Sequence, residues 1–151
     1  MPRSPSANDA LRLATRERLL TAAMRCFAAK GYAGTSIRDI ASTAGVATGL
    51  LYAHFDSKDT LLLSVFAQSM QQVQSTFAAA LSPAPGEEPV ATLVRAAVRT
   101  VRAHLPFWQL SYALRHQPEV IGTLGPALEA WQRDIVQHLT LILADGATEA
   151  E

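Results

Sequence analysis

Apolar and polar residues follow one another along this chain with the three- and four-residue spacing of helices that pack on one face, and the two-residue alternation of strands is scarce. The ends of the helices are predicted by residues that start or stop a helix, such as Gly31 after Lys30. Seven helices are predicted in this way. They run over about 8–30, from a cap at Thr35 or Ser36 to Gly45, over 48–55, from the Ser57 cap to about 81, onward from Pro89, over 106–116 and over 127–144.

The fifth predicted helix carries apolar residues on one side and arginines on the other. The apolar stripe is expected to pack inward, with Arg95, Arg99 and Arg102 on the opposite, solvated side. The stripe consists of Val90, Leu93, Val94, Ala97, Val98 and Val101.

Composition narrows the class of protein. With 151 residues, 49% of them apolar, the chain forms one domain or two small ones around a core that needs no disulfide. Cys26 is the single cysteine, which excludes an internal disulfide and a multi-cysteine zinc site. No apolar run approaches the length of a membrane span, and the stretch from Met1 to Asp9 lacks the apolar segment of a signal peptide. We therefore expect a cytoplasmic protein without membrane contact.

The formal net charge is zero, from 13 Lys and Arg against 13 Asp and Glu, but the charges are unevenly distributed. Residues 1–62 carry eight basic and five acidic side chains, a net charge of +3, whereas residues 63–151 carry five basic and eight acidic ones, a net charge of −3. A basic segment joined to an acidic one suggests that only the first meets an anion. Chance composition is an equally good explanation of this split taken alone.

Two short helices joined by a tight turn at Gly45 and Val46 form a helix-turn-helix pattern. The sequence around the turn is more specific, since residues 31–62 read GYAGTSIRDIASTAGVATGLLYAHFDSKDTLL. This run contains T-S-I-x-x-I-A, A-G-V, L-Y-x-H-F and S-K-D-x-L at fixed spacing, and it resembles the DNA-binding domain of TetR-family repressors. The resemblance extends from Thr15 to about Phe66, roughly a third of the chain.

The resemblance implies an all-α fold. It implies a disordered tail at 1–10, a three-helix helix-turn-helix DNA-binding domain at 11–62, and a helical ligand-binding and dimerisation bundle at 63–151. Family members usually dimerise through two further helices near the C-terminus, so the bundle of this chain is expected to be incomplete.

Candidate DNA contacts fall into two groups. Hydroxyls and cations at the entrance of a helix can bind phosphates, which suggests Thr35, Ser36 and Lys58. By resemblance to the family, the backbone contacts are made by Tyr52, His54 and Lys58, and the residues facing base edges are Thr48, Gly49 and Ala53. Arg38 stands where some family members read guanine, and a solvated arginine is an equal alternative for it.

The sequence departs from the family pattern around the third helix. Ala47 stands where a serine often caps this helix, and Leu50 replaces a frequent threonine. Gly49 and Ala53 have almost no side chain with which to read bases. We therefore expect little hydrogen-bond readout, with apolar contacts to thymine methyls and DNA shape providing more of the specificity.

The family's C-terminal domain holds a pocket for a small apolar or aromatic effector, and core packing is the better explanation for any single aromatic residue. The pocket candidates are Phe66, Met70, Trp108, Tyr112 and Arg115. An apolar seam that could pair two copies is formed by Trp131, Ile135, Leu139 and Ile142.

The function expected from these observations is a DNA-binding transcriptional regulator, most simply a repressor that binds a palindromic operator as a homodimer and is released by a small effector. No glycine-rich phosphate loop, nucleophile elbow or metal-binding histidine pair is present, so no catalytic residue, metal or cofactor is expected. The alternative is a truncated helical interaction protein that binds DNA weakly or pairs with a full-length partner.

Overall fold

All the regular secondary structure is helical in the part of the chain that the computed structural model describes, which comprises residues 7–82, 85–114, 117 and single or paired positions between 120 and 140. The all-α prediction is confirmed for these residues. In chain order the helices are α1 (Ala7–Lys30), α2 (Ile37–Ala44), α3 (Thr48–Tyr52), α4 (Lys58–Ala80), α5 (Pro89–Ala103) and α6 (Leu105–Leu114). The predicted seventh helix at 127–144 lies largely outside the described residues. The disordered tail predicted at 1–10 is wrong for residues 7–10, because α1 begins at Ala7.

The ends of α2 follow from local chemistry. Ser36 accepts a hydrogen bond from the backbone N–H of Asp39, and the Asp39 carboxylate accepts one in return from the backbone N–H of Ser36. This reciprocal pair satisfies two amide groups that the first turn leaves open. At the other end Gly45 adopts φ +66°, a left-handed conformation that a side chain would strain. Both predicted ends of this helix are confirmed.

The hydrophobic core is continuous between the N-terminal helices and α6. Buried residues of α1 such as Leu19 and Phe27 belong to the same cluster as Phe66 of α4 and Phe107 of α6. The Phe66 and Phe107 rings lie 5.0 Å apart in a tilted arrangement, which is a favourable geometry for an aromatic pair. The division predicted between residues 62 and 63 therefore falls inside a shared core.

Helix α5 packs on the opposite face from the one predicted. Its valine stripe points outward, with Val90 60% and Val94 56% exposed, and Thr92, Ala96 and Thr100 are the buried residues. Because these inward side chains are small, α5 can lie close to α4. The spacing of the valines correctly indicated a helix but did not identify the neighbour on which it packs.

Arg95 is also placed differently from the solvated position predicted for it. Its guanidinium forms an ion pair with Glu87, with 2.8 Å between Nη2 and Oε2. It also donates hydrogen bonds to the carbonyl oxygens of Ala80 and Ser82, both at 3.1 Å. The last turn of a helix leaves its carbonyl groups open, so Arg95 closes the end of α4 and fixes the start of α5 against it.

Thr92 provides a test of how α5 packs. Its hydroxyl oxygen is buried and has no hydrogen-bond partner among the described residues, whereas the hydroxyl of Thr100, equally buried, donates to the Ala96 carbonyl at 2.8 Å. A buried hydroxyl without a partner is costly, so Thr92→Val should raise the free energy of unfolding by about 1 kcal/mol. Thr100→Val is the matched control and should give no gain. Urea denaturation followed by circular dichroism measures both, and equal effects would contradict the inward placement of Thr92.

None of the described helices is long and apolar enough to cross a membrane. Within the same part of the chain, no three metal-ligating side chains of the His, Cys, Asp or Glu type lie together.

Candidate nucleic-acid interface

Helices α2 and α3 are held in a fixed relation by the turn between them. The backbone N–H of Val46 donates to the Ala41 carbonyl at 3.0 Å, and an Arg18 guanidinium nitrogen donates to the Ala44 carbonyl at 2.6 Å. On α3, Leu51 is fully buried and Phe55 follows in the core. One side of α3 is therefore anchored to the body of the protein, and its position relative to α2 is set by backbone hydrogen bonds.

The other side of α3 projects into solvent. Tyr52 is 51% exposed and Leu50 is 43% exposed, and Gly49 and Ala53 lie beside them in exposed positions, with Thr48 half-buried at the start of the helix. The N-cap residue Ala47 makes no side-chain hydrogen bond, as its methyl group requires. In the sequence Leu50 is notable only because it replaces a frequent threonine. In the structure it is the largest aliphatic side chain on the exposed face of α3.

Thr35 is not available at the surface, which corrects its prediction as a phosphate contact. The side chain is 2% exposed, and its hydroxyl is directed at the carbonyl oxygens of Gly31 and Cys26, at 2.7 and 3.1 Å. These carbonyl groups belong to the end of α1, where the helix no longer supplies partners. Thr35 therefore fixes the turn between α1 and α2.

Ser36 is exposed, but its hydroxyl is already used. It donates to the Asp39 carboxylate at 2.7 Å while it accepts from the Asp39 backbone N–H. The hydrogen bonds from Ser36, followed by the one from Lys30, lower the pKa of Asp39 to about 2. This carboxylate is thus charged at neutral pH and stands beside the entrance of α2, where it disfavours a second anion.

Lys58 connects α4 to the same turn. Its ammonium nitrogen donates to the carbonyl oxygens of Tyr32 and Thr35 at 3.0 and 3.1 Å, and it lies 4.1 Å from the centre of the Tyr32 ring. The Tyr32 hydroxyl donates in turn to Asp59. An ammonium group has three N–H donors, so at most one remains for an external phosphate.

His54 and Arg38 complete the predicted set. His54 is half-buried just after α3, and its pKa is lowered from the ordinary value of 6.5, first by burial and then by the positive charges of Arg12 and Arg16. Arg38 is exposed on α2. Both are therefore near enough to the surface to reach a partner. Sequence reasoning missed the contribution of α1, because no local signal indicates that its charges stand next to His54.

The predicted effector residues do not converge on one space. Phe66 is buried against Phe107, Met70 and Trp108 are partly buried against the same core, and Tyr112 is 69% exposed on α6. Tyr112 therefore does not belong with the other three, because the face of α6 that carries it points away from the core. Arg115 lies outside the described residues. So do the four residues of the predicted dimer seam, Trp131, Ile135, Leu139 and Ile142.

The family is indicated by sequence comparison. Residues 19–65, which contain the second half of α1, α2, α3 and the beginning of α4, match the model of bacterial regulatory proteins of the tetR family. These residues are a tetR-family N-terminal domain. The resemblance read from the motifs is therefore confirmed.

Two curated relatives are similar over the same tetR-family domain. The uncharacterized HTH-type transcriptional regulator YerO of Bacillus subtilis is 49% identical over 49 residues, which are 32% of this chain and 17% of YerO. The HTH-type transcriptional repressor KstR2 of Rhodococcus jostii is 47% identical over 47 residues, 31% of this chain and 23% of KstR2. The matched region thus spans less than a quarter of either relative.

Solved structures are similar over a longer range. A TetR-like transcriptional regulator from Rhodococcus sp. RHA1 superposes with a TM-score of 0.67 at 26% identity, over 98% of this chain and 75% of that one. The TetR family transcriptional regulator PfmR from Thermus thermophilus gives a TM-score of 0.65 at 25% identity, over 88% and 72% of the two chains. The described helices α5 and α6, which follow the tetR-family domain, therefore share the arrangement found in these regulators.

Proposed function

We propose that the chain is a DNA-binding transcriptional regulator that places α3 in the major groove. The observation that carries this proposal is the division of α3 into two sides, with Leu51 fully buried and with Leu50, Tyr52 and Ala53 exposed beside one another. A five-residue helix cannot be stable alone, so its position depends on the core beneath it. In helix-turn-helix proteins, a short helix held in this way lies in the major groove and contacts base edges.

The proposed contacts differ in part from those read from the sequence. Tyr52, His54 and the remaining N–H of Lys58 are proposed to bind the DNA backbone, and Ser36 is left out because its hydroxyl serves Asp39. The residues proposed to face base edges are Arg38, Thr48, Gly49, Leu50 and Ala53. Most of the α3 members of this group offer methyl groups or backbone rather than hydrogen-bond donors, so thymine methyls and DNA shape are the features they can distinguish.

The test is binding to duplex DNA, first of random sequence and then of sequences selected from that pool. We expect an affinity that falls steeply as salt rises, since phosphate contacts release counterions. We expect the selected sites to be enriched in A·T pairs opposite Leu50 and Ala53. Binding that does not respond to salt, or a complete lack of binding, would contradict the proposal.

Repression, pairing of two copies on a palindromic operator and release by a small apolar or aromatic effector extend this proposal. Support comes from the repressor names of relatives such as KstR2. The division into a DNA-binding domain at 11–62 and a helical ligand-binding and dimerisation domain at 63–151 also remains a proposal, as does action in the cytoplasm.

One observation favours the alternative of a helical interaction protein that pairs with a longer partner. The exposed side of α5 presents Val90, Val94, Val98 and Val101, an apolar stripe of the kind that marks an interaction surface. The two functions are distinguished by the same titration, because a pure interaction protein would leave duplex DNA unbound.

A further inference from the structure

A groove runs between the first half of α1 and the residues that follow α3. Its α1 wall is formed by residues at intervals of three and four, which places them on one face of that helix. Its other wall adjoins the exposed end of α3. The lining residues are Asp9, Arg12, Leu13, Arg16, Ala53 and His54.

The α1 wall is not explained by packing. Residues 8–14 of α1 are all exposed, and the first buried side chains of this helix are Leu19 and Leu20. The two turns that carry Arg12 therefore bury no apolar side chain against the described core. They extend past it beside the residues that follow α3, and they bring the Arg12 guanidinium to the groove together with Asp9 and the exposed Leu13.

Arg16 is fixed in position at the inner end of the groove. Its guanidinium carbon lies 4.5 Å from the centre of the Phe55 ring, and one of its nitrogens lies 3.5 Å from the Ser64 hydroxyl. A guanidinium stacked on an aromatic ring keeps its other N–H groups directed to the side. Arg12, four residues earlier on the same face, is exposed.

The groove has an excess of positive charge. Two guanidinium groups face one carboxylate, that of Asp9, and both guanidinium charges act on the His54 ring to lower its pKa. The two guanidinium charges repel each other, and the single carboxylate of Asp9 leaves the groove with a net positive charge. A phosphate would relieve the repulsion, and it would accept hydrogen bonds from planar arginines in their preferred geometry.

We propose that this groove binds one backbone phosphate of the DNA duplex that α3 reads, with Arg12 and Arg16 as its cationic ligands and His54 as a further donor. The inference rests on the proposed function, because the phosphate belongs to the same duplex. Ala53 supports this choice of partner: it lines the groove and is exposed at the end of α3, so the two surfaces are contiguous.

The test compares two substitutions that remove the same charge. Arg12→Gln acts in the groove, and Arg99→Gln acts at an exposed position on α5, which packs on α4 and α6. Each variant is titrated with a pool of random-sequence duplexes over a range of KCl concentrations. We expect Arg12→Gln to weaken binding about ten-fold at low salt and to reduce the slope of log affinity against log salt by about one. We expect Arg99→Gln to match the wild type in slope.

A second measurement uses pH. A bound phosphate stabilises the charged imidazole, so the pKa of His54 is higher in the complex than in the free protein, where burial, Arg12 and Arg16 lower it. The complex then takes up a proton, and affinity should rise about five-fold as pH falls from about 8 to about 6. His54→Gln should lose this rise while Asp9, Arg12 and Arg16, the other charged groups of the groove, are unchanged.

The outcomes separate this inference from the proposed function. A wild type that fails to bind the pool with a salt-dependent affinity overturns both. A wild type that binds, with Arg12→Gln and Arg99→Gln equal in affinity and slope, overturns the groove and leaves the role of α3 standing. A pH dependence that persists in His54→Gln removes His54 from the site.

Discussion

Replacing Leu51 with alanine will lower the free energy of unfolding by about 3 kcal/mol, whereas the same substitution at the adjacent Leu50 will change it by less than about 0.5 kcal/mol. Leu51 is fully buried in the common core, so the substitution leaves a cavity beneath α3. Leu50 is 43% exposed, and its loss leaves no cavity. Urea denaturation followed by circular dichroism measures both changes.

Under conditions where both variants are folded, their effects on DNA binding should have the opposite order: Leu50→Ala should weaken binding to selected sites more than Leu51→Ala does. Leu50→Ala removes apolar surface from the proposed reading face and should lower the affinity for selected sites more than the affinity for random DNA. Leu51→Ala keeps the exposed residues of α3 but weakens the packing that holds α3 on the core. If both substitutions cost the same stability, the two sides of α3 would not be divided as described, and the central observation behind the proposed function would fail.

The helix-turn-helix could be predicted from the sequence because its signals are local. The cap at Ser36, the reciprocal hydrogen bonds with Asp39 and the left-handed Gly45 are each decided within three or four residues. The spacing predicts a third helix that reaches Phe55, but the helix ends at Tyr52. Beyond that point the chain turns, with Phe55 entering the core, and the spacing of apolar residues alone does not distinguish this from a further helical turn.

The residues whose predicted positions are wrong depend on neighbours far along the chain. A hydroxyl such as that of Thr35 can donate a hydrogen bond either to a phosphate or to a carbonyl oxygen of its own chain. In this fold the carbonyl groups at the end of α1 are its partners. The inward face of α5 is chosen by the shape of α4, to which small residues such as Ala96 fit closely. Neither choice leaves a periodic signal in the sequence.

At the functional site too, the sequence does not show which residues of α1 are neighbours of α3 and the residues after it. The excess of basic residues in 1–62 is visible in the sequence, and it agrees with the anion that this part meets in the proposed function. Sequence spacing places Arg12 and Arg16 on one face of α1. It does not show that this face lies beside His54, because that contact is set by how α1 crosses the helix-turn-helix.

The second large effect is expected at Phe107, through which α6 contributes to the common core. Phe107→Ala should lower the free energy of unfolding by about 3–4 kcal/mol, because it removes a ring that is 2% exposed and packed on Phe66 and Trp108. Tyr112→Ala on the same helix is the matched control. Its side chain is 69% exposed, so it should change stability by less than about 0.5 kcal/mol.

This experiment also tests whether the loss of stability affects the tetR-family domain and the helices after it to the same extent. Since α6 packs on α1 and both contribute to one core, Phe107→Ala should shift the loss of helical circular dichroism and the change in tryptophan fluorescence by the same amount in urea. The tetR-family domain and the helices after it then unfold as one unit, and any event that rearranges the packing around Phe107 alters the support of α1 beneath the DNA-reading face. Two separate transitions, with the helical signal of the N-terminal domain unmoved by Phe107→Ala, would instead show that the regions are independent and that the continuous core does not couple them.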